Sequence, residues 1–364
     1  MGHIHSCFTG AGRGDAPDTT HLGHLSTAGS ASSLQRQEGP RQLGKGQCGT
    51  VWALGDLVFK APNECKHHQL WEDSCHHRKV EDALQRAPWA IRPRINIPRW
   101  TDLVHPSEET FWDGFRSWFP SNFQPTCGIL STRIHPVRPH VRHAIVDLFA
   151  PPSIKANKTG FLACPQNHDC LVRLYLGRRA ERSASAASFR LRDFDLMVNE
   201  MEYMQLDIGT WARDMARTLA VLHWRAQVDA NGVEFVLGRT GDVEAEFRAI
   251  SLSGMRDRLV DRPNVFKFEL SSQSMGVWLL DFDQCRTFPE SPEGVKQLQR
   301  AFYLNDPYYP RPVSKHPNDV ALWETFKAAY LQASAFLKPQ SRMPRLFIQA
   351  VEEEGRRRAA GGSV

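Results

Sequence analysis

Short apolar runs alternate with glycines over residues 42–62. "TVWAL" (50–54) and "LVFKA" (57–61) are rich in β-formers, and Gly55-Asp56 between them suits a two-residue hairpin turn. The pattern then changes period. "CKHHQLWEDSCHHRKVEDALQRA" (65–87) sets Leu70, Val80 and Leu84 among polar residues without Gly or Pro, which predicts a helix of about five turns ended near Pro88. Residues 92–126, rich in Pro and Trp, read as a strand followed by an irregular insertion. "CGILSTRIHPV" (127–137) reads as a further strand running into a proline-bearing connection, so a β-rich unit with one helix is complete by about residue 136.

The second half is more helical. "DIGTWARDMARTLAVLHW" (207–224) places Ile208, Trp211, Met215, Leu219 and Leu222 at helical spacing. A polar loop, a short strand at Phe235–Leu237 and a polar insertion lead to "GVWLLDFDQCRTF" (276–288), an apolar strand ending in two aspartates. Two more helices are predicted, one around Val295 to Leu304 and one from Asn318 to Leu337; the second carries Trp323, Phe326, Tyr330, Ala333 and Leu337 on one face. No internal repeat appears.

The two ends differ from this body. Residues 1–39 are rich in Ser, Gly, Thr and His with almost no periodic apolar pattern, and "EEEGRRRAAGGSV" (352–364) reads the same way. The expected organisation is a flexible head (1–39), a β-rich lobe (40–136), a helical lobe (137–351) and a flexible tail (352–364). The opening residues match M-G-x-x-x-S, with Gly2, Ser6 and neighbouring Cys7, a myristoylation pattern weighed against a chance match in a flexible head.

Composition narrows the classes. A net charge of +5 over 364 residues, without a concentrated basic face, does not point to nucleic acid. No apolar run approaches membrane-spanning length, so no transmembrane segment is expected. Eight scattered cysteines without framework spacing favour a reducing cytoplasmic or nuclear setting for a soluble protein.

The candidate chemistry begins in "LGKGQCGTVWALGDLVFK" (43–60). Gly44, Gly46 and Gly49 lack the Cβ that would keep a backbone from phosphates, and Val51 follows them. Lys60 lies on a strand antiparallel to the one leaving this loop, so its side chain reaches back to whatever the loop covers. Glycines at this spacing occur in many unrelated loops; the order of the elements says more. Glycine loop, lysine strand, acidic helix, long helix, loop aspartate and strand-end aspartate together resemble the protein-kinase-like fold. That resemblance implies a two-lobed α+β fold, with a small antiparallel β lobe carrying one helix and a larger, mainly helical lobe. It also implies ATP and Mg²⁺ between the lobes, Gly44, Gly46 and Gly49 over the phosphates, and Lys60 on the α- and β-phosphates. Glu72 and Asp73 compete as the helix partner of Lys60, with Asp73 fitting the apolar register better because it lies seven before Val80. Asp229 would be the catalytic-loop aspartate, and Glu234 and Asp281 the metal ligands, with Asp283 where kinases carry a glycine.

The departures matter. Gln227 and Val228 stand where kinases have His-Arg, Glu234 replaces an asparagine, and no clear Ala-Pro-Glu follows Asp281. His223 reads as a core residue. The preferred reading is an ATP- and Mg²⁺-binding phosphotransferase acting on a small molecule or an unconventional protein acceptor; the rival is a pseudokinase-type interaction module that binds nucleotide weakly or not at all and transfers nothing.

"LWEDSCHHRKV", "CLVRLYLGRR", "LHWRAQVDANGVEFVLG", "WLLDFDQCR" and "NDPYYPRP" further resemble a fungal domain family of unknown function, number 3669, whose members are often labelled zinc-finger proteins. Zinc itself fits poorly. Cys164, His168 and Cys170 in "CPQNHDC" lack paired-knuckle spacing, and Cys65, His67, His68, Cys75, His76 and His77 point all around a helix.

Overall fold

The computed structural model describes residues 39–179, 182, 185–240 and 263–361. The expectations about residues 1–38, including the Gly2 pattern, lie outside the described residues, as does most of the polar insertion after Leu237.

Five strands make the first sheet: β1 (Gln42–Lys45), β2 (Gly49–Leu54), β3 (Leu57–Pro62), β4 (Trp100–Val104) and β5 (Gly128–Thr132). They are antiparallel throughout and ordered β1-β2-β3-β5-β4. The β2–β3 hairpin turns at Gly55-Asp56 with Leu54 opposite Leu57, and Gly55 has φ +71°, which a glycine adopts without penalty. Phe59 of β3 is fully buried and anchors a satellite core with Val104, Trp112, Phe119 and Leu130. Gly128 is forced by this ring, since a Cβ there would lie 2.1 Å from Phe59 Cζ.

Helix α1 (His67–Gln85) follows β3 and turns Leu70, Val80, Ala83 and Leu84 inward. The stretch read as an irregular insertion contains a short helix, α2 (Glu109–Phe115), whose Trp112 is buried. Aromatic spacing at Phe111, Trp112, Phe115 and Phe119 holds it to the sheet, through edge contacts such as Phe59–Trp112 at 5.5 Å. Packing against aromatic rings, rather than a long amphipathic stripe, makes this helix, so periodicity alone does not reveal it.

The second sheet is mixed. It contains β6 (Val172–Tyr175), β7 (Phe194–Met197), β8 (Glu234–Arg239) and β9 (Met275–Leu280), in the order β7-β6-β8-β9 with only β6–β7 parallel. Helices α3 (Pro139–Phe149), α4 (Pro152–Ala156), α5 (Lys158–Ala163), α6 (Val198–Tyr203), α7 (Ile208–Trp224), α8 (Pro263–Ser271), α9 (Pro292–Leu304), α10 (Pro317–Leu337) and α11 (Met343–Gly361) accompany it. The long helix α7 starts at Asp207, whose carboxylate accepts from the Thr210 amide. It packs on α10, where Trp224 Nε1 donates to Ser334 Oγ at 2.9 Å.

The flexible-tail expectation for 352–364 needs correction as far as Gly361. Helix α11 continues to that residue, with Phe347, Ile348 and Val351 buried. Glu352 accepts from Trp323 Nε1 at 3.1 Å and pairs with Lys327 at 2.9 Å. The charged run that looks like a tail is a solvated helix face, laced by Glu354 pairs to Arg357 and Arg358.

Candidate functional site

Lys60 is the centre. Its neighbours in β3 are core residues, and the antiparallel register sets it opposite Val51 of β2. Its Nζ lies 2.8 Å from Asp73 Oδ2, 3.2 Å from Asp281 Oδ1 and 3.7 Å from Asp283 Oδ2. Asp73 and Asp283 are buried. Burial alone would lower the pKa of the ammonium, but the fields of Asp73 and then Asp281 hold it well above its ordinary value. Burial raises the pKa of Asp281; Lys60 opposes that rise, and Asp283 and Asp73 add to it. One ammonium therefore serves three carboxylates.

Helix geometry decides between the two acids of α1. Successive residues are about 100° apart around a helix, so only one of two neighbours faces the lysine strand. Asp73 does. Glu72 faces Arg286 at 3.5 Å and His68 at 3.8 Å. Asp281 leaves the end of β9 with φ +66°, a left-handed backbone uncommon for a non-glycine residue. Phe282 between the two aspartates is buried against the His77 ring of α1, with centroids 5.2 Å apart.

The glycine loop is tied down. Gly46 N donates to Gly49 O, and Asn63 Nδ2 donates to Gly46 O at 2.9 Å and Gln47 O at 3.1 Å. Asn63 N reaches Cys48 O at 2.8 Å. Of the three glycines only Gly49 is sterically required: a Cβ there would lie 2.6 Å from Ala61 O and 3.1 Å from Lys60 Cγ. A Cβ at Gly44 would meet nothing within 4 Å, and one at Gly46 only Gly49 O at 3.8 Å. Cys48, at the tip, is buried beside Lys60 and Asp283, and burial pushes its thiol up to about 12.

Asp229, Glu234 and Asp281 have different neighbours. The β8–β9 register pairs Glu234 with Leu280, so Glu234 stands next to Asp281. Glu234 also meets Arg173 Nη2 at 2.9 Å. Burial lifts its pKa to about 7, with Arg173 opposing and Asp281 adding to the rise. Asp229 is buried and braced elsewhere. Its Oδ1 accepts from Arg286 N at 2.9 Å and Asn231 N at 3.1 Å, and its Oδ2 from Gln297 Nε2 at 2.8 Å. This carboxylate pins the loop after α7 to the segment after β9 and to α9. His223 is a core residue bonded through Nδ1 to Tyr330 OH at 2.9 Å, and burial pushes its pKa down to about 3, leaving the ring neutral.

Several of these residues were not singled out by sequence reasoning for these contacts. Asp283 carries a signal, its two-residue spacing from Asp281. Arg173, Asn63 and Gln297 carry none, because only the tertiary fold brings them to their partners.

Among the described residues, no group of three or more His, Cys, Asp or Glu is placed to hold a metal ion, the acids around Lys60 included. No helix among them is long and apolar enough to cross a membrane. The DUF3669 family model, described as "Zinc finger protein", matches residues 277–341, from β9 through α10. That segment contains one cysteine and one histidine, Cys285 and His316, and Cys285 is fully buried. No curated protein matches the chain.

Proposed function

We propose that this chain is a protein-kinase-like module that works by binding a partner and does not transfer phosphate. The kinase-like part of the reading is supported by context as well as motif. A glycine loop precedes a lysine on the third strand, that lysine pairs with an acid of the next helix, and a strand-end aspartate completes the set.

The observation that carries the absence of transfer is Asp229. A general base must reach the proton it removes, with a free lone pair aimed at the acceptor. Three N–H donors, from Arg286 and Asn231 on Oδ1 and from Gln297 on Oδ2, already hold the Asp229 carboxylate, which leaves one of its about four acceptor sites, on a buried side chain fixed in place by those bonds. It acts as a brace between loops. The loop over Lys60 supports the same reading, since the buried Cys48 of that loop lies within electrostatic reach of the ammonium that would meet phosphates.

Asp281 and Asp283 offer the hard oxygen donors Mg²⁺ prefers, but here both converge on Lys60. Nothing in this reading depends on a metal-assisted step. The alternative, phosphoryl transfer to a small molecule or protein, draws support from the same Lys60, Asp73 and Asp281 set.

Mass-detected ATP turnover with Mg²⁺ or Mn²⁺ separates the two. The folded protein should form no more ADP or phosphoprotein than its Asp281→Asn variant. Turnover that disappears in that variant overturns the binding-module reading.

A further inference from the structure

The turn at 338–342, between the end of α10 and the start of α11, is fixed by its own hydrogen bonds. Lys338 N donates to Ser334 O at 2.8 Å, Ser341 N to Lys338 O at 3.1 Å and Met343 N to Ser341 Oγ at 3.2 Å. A cavity of about 320 Å³ lies at this turn. Leu331, Pro339 and Pro344 give it an apolar wall, and its charged groups are Lys338, Arg342 and Arg345. No Asp or Glu lines it.

Its charge is therefore one-sided. Lys338 is engaged by Glu290, which stands outside the lining. Arg342 and Arg345 are exposed, and among the described residues neither guanidinium has an acidic partner. Their position makes this more costly. Arg342 precedes α11 and Arg345 lies in its first turn, where the positive end of the helix dipole disfavours cations, and no acid of that turn offsets them. Two uncompensated guanidiniums beside a helix end that repels them call for an anion.

We propose that this cavity binds a phosphate monoester, with its oxygens on Arg342 and Arg345 and its ester group against Leu331, Pro339 and Pro344. A guanidinium offers a planar fork of N–H donors that matches phosphate oxygens in pairs. A monoester carries about −1.5 to −2 charges at neutral pH and so answers both guanidiniums, whereas one carboxylate answers one. A phosphodiester also carries a single charge, which makes a nucleic-acid backbone the poorer occupant of one cavity. Ligand cavities run from about 300 to 1,000 Å³, and this one is at the small end, so its occupant is a small ester or a single phosphorylated side chain. The site lies apart from the Lys60 cluster in sequence and in its elements, and the proposal depends neither on the partner-binding reading nor on whether phosphate is transferred.

The test uses the full chain with phenyl phosphate and, separately, with a fluorescein-labelled phosphoserine peptide. Benzoate and the same peptide carrying Glu are the carboxylate controls, at matched ionic strength. Phenyl phosphate at about 10 mM should raise Tm by about 2 °C or more, by mass action on the folded state, and benzoate by less than half as much. The double variant Arg342→Gln/Arg345→Gln should lose the rise, and each single variant should weaken binding severalfold. Removing cations from the start of a helix should leave the melt of the unliganded variants at or above the parent's. Tighter binding of the phosphopeptide than of phenyl phosphate, lost in the double variant, assigns the ester to a protein side chain; the reverse order assigns it to a free small ester. Three results overturn the proposal: no response to either phosphate, an equal response to the carboxylate controls, or a response that survives in the double variant.

Discussion

Lys60 Nζ and Asp73 Oδ2 lie 2.8 Å apart, joining the third strand to the first helix across 13 positions of sequence. The pair does not stand alone, because Asp281 and Asp283 share the same ammonium. Removing the cation should therefore be worse than removing one anion. Two like charges about 5 Å apart repel by roughly 3 kcal/mol at an effective dielectric of 20, and Lys60→Met leaves three of them. Asp281 is about a third exposed, which screens part of this. Lys60→Met should destabilise by about 2–4 kcal/mol and Asp73→Asn by less. Urea unfolding of both variants checks the order; a larger loss for Asp73→Asn would refute the picture of one shared counter-ion.

Asp229 should behave as a brace. Asp229→Ala strands the Arg286 and Asn231 amides in a half-buried setting and takes from Gln297 Nε2 one of its two acceptors, the other being Thr287 O. A cost of about 2–4 kcal/mol follows. Gln297→Ala should cost less, and the double variant should fall short of the sum, because one bond is counted in both. Additive losses would mean that Gln297 and Asp229 do not act on each other.

Glu234 gives the fold a pH dependence of defined sign. Its pKa is about 7 in the fold, raised by burial, against an ordinary 4.5. Between those values the folded chain holds a proton that the unfolded chain has released, so this group's contribution to stability is full below pH ~4.5 and is lost as pH rises through ~7. The loss is on the order of 3 kcal/mol. Glu234→Gln cannot titrate, so its Tm should fall less than the parent's between pH 5 and 8. Parallel Tm–pH curves would show that Arg173 keeps the carboxylate ionised throughout.

Local pattern carried the first sheet, α1 and α7 into view because their signals are local, whereas the Lys60 cluster, with Asp281 221 positions away, came from the order of the elements. A hairpin turn at Gly55-Asp56, the heptad interval between Asp73 and Val80, and apolar residues at Ile208, Trp211 and Met215 each follow from a single stretch of chain. The strand pair β6 and β7 stayed hidden, since Val172–Tyr175 and Phe194–Met197 are four residues each and become strands only by pairing in parallel with one another. The role of Asp229 was hidden for a similar reason. The kinase resemblance implied a base there, while the bond that braces its Oδ2 comes from Gln297, 68 positions away. Composition misled at the C-terminal end, where Glu and Arg in excess describe a solvated helix face as well as a tail.

That end supplies the last prediction. Helix α11 is fixed beyond Val351 by Glu352, which accepts from Trp323 and pairs with Lys327 of α10. One turn further on, Gly355 is buried with Pro312 and Tyr303 so close that a Cβ would lie 2.7 Å from Pro312 Cγ and 3.0 Å from Tyr303 Oη. Arg358 then covers the Tyr303 ring at 4.1 Å. Ending the chain after Val351 removes all three contacts and uncovers Tyr303, so Tm should fall by several degrees. Gly355→Val tests the same docking without shortening the chain. Its branched side chain cannot enter the space between Pro312 and Tyr303, so the helix must shift outward, at about 1–3 kcal/mol. Gly355→Ala should cost less than Gly355→Val, because its single methyl asks for a smaller shift than a branched side chain and alanine favours the helix. If truncation after Val351 and Gly355→Val both leave Tm unchanged, the segment from Glu352 onward behaves as the tail its composition suggests, and α11 ends at Val351.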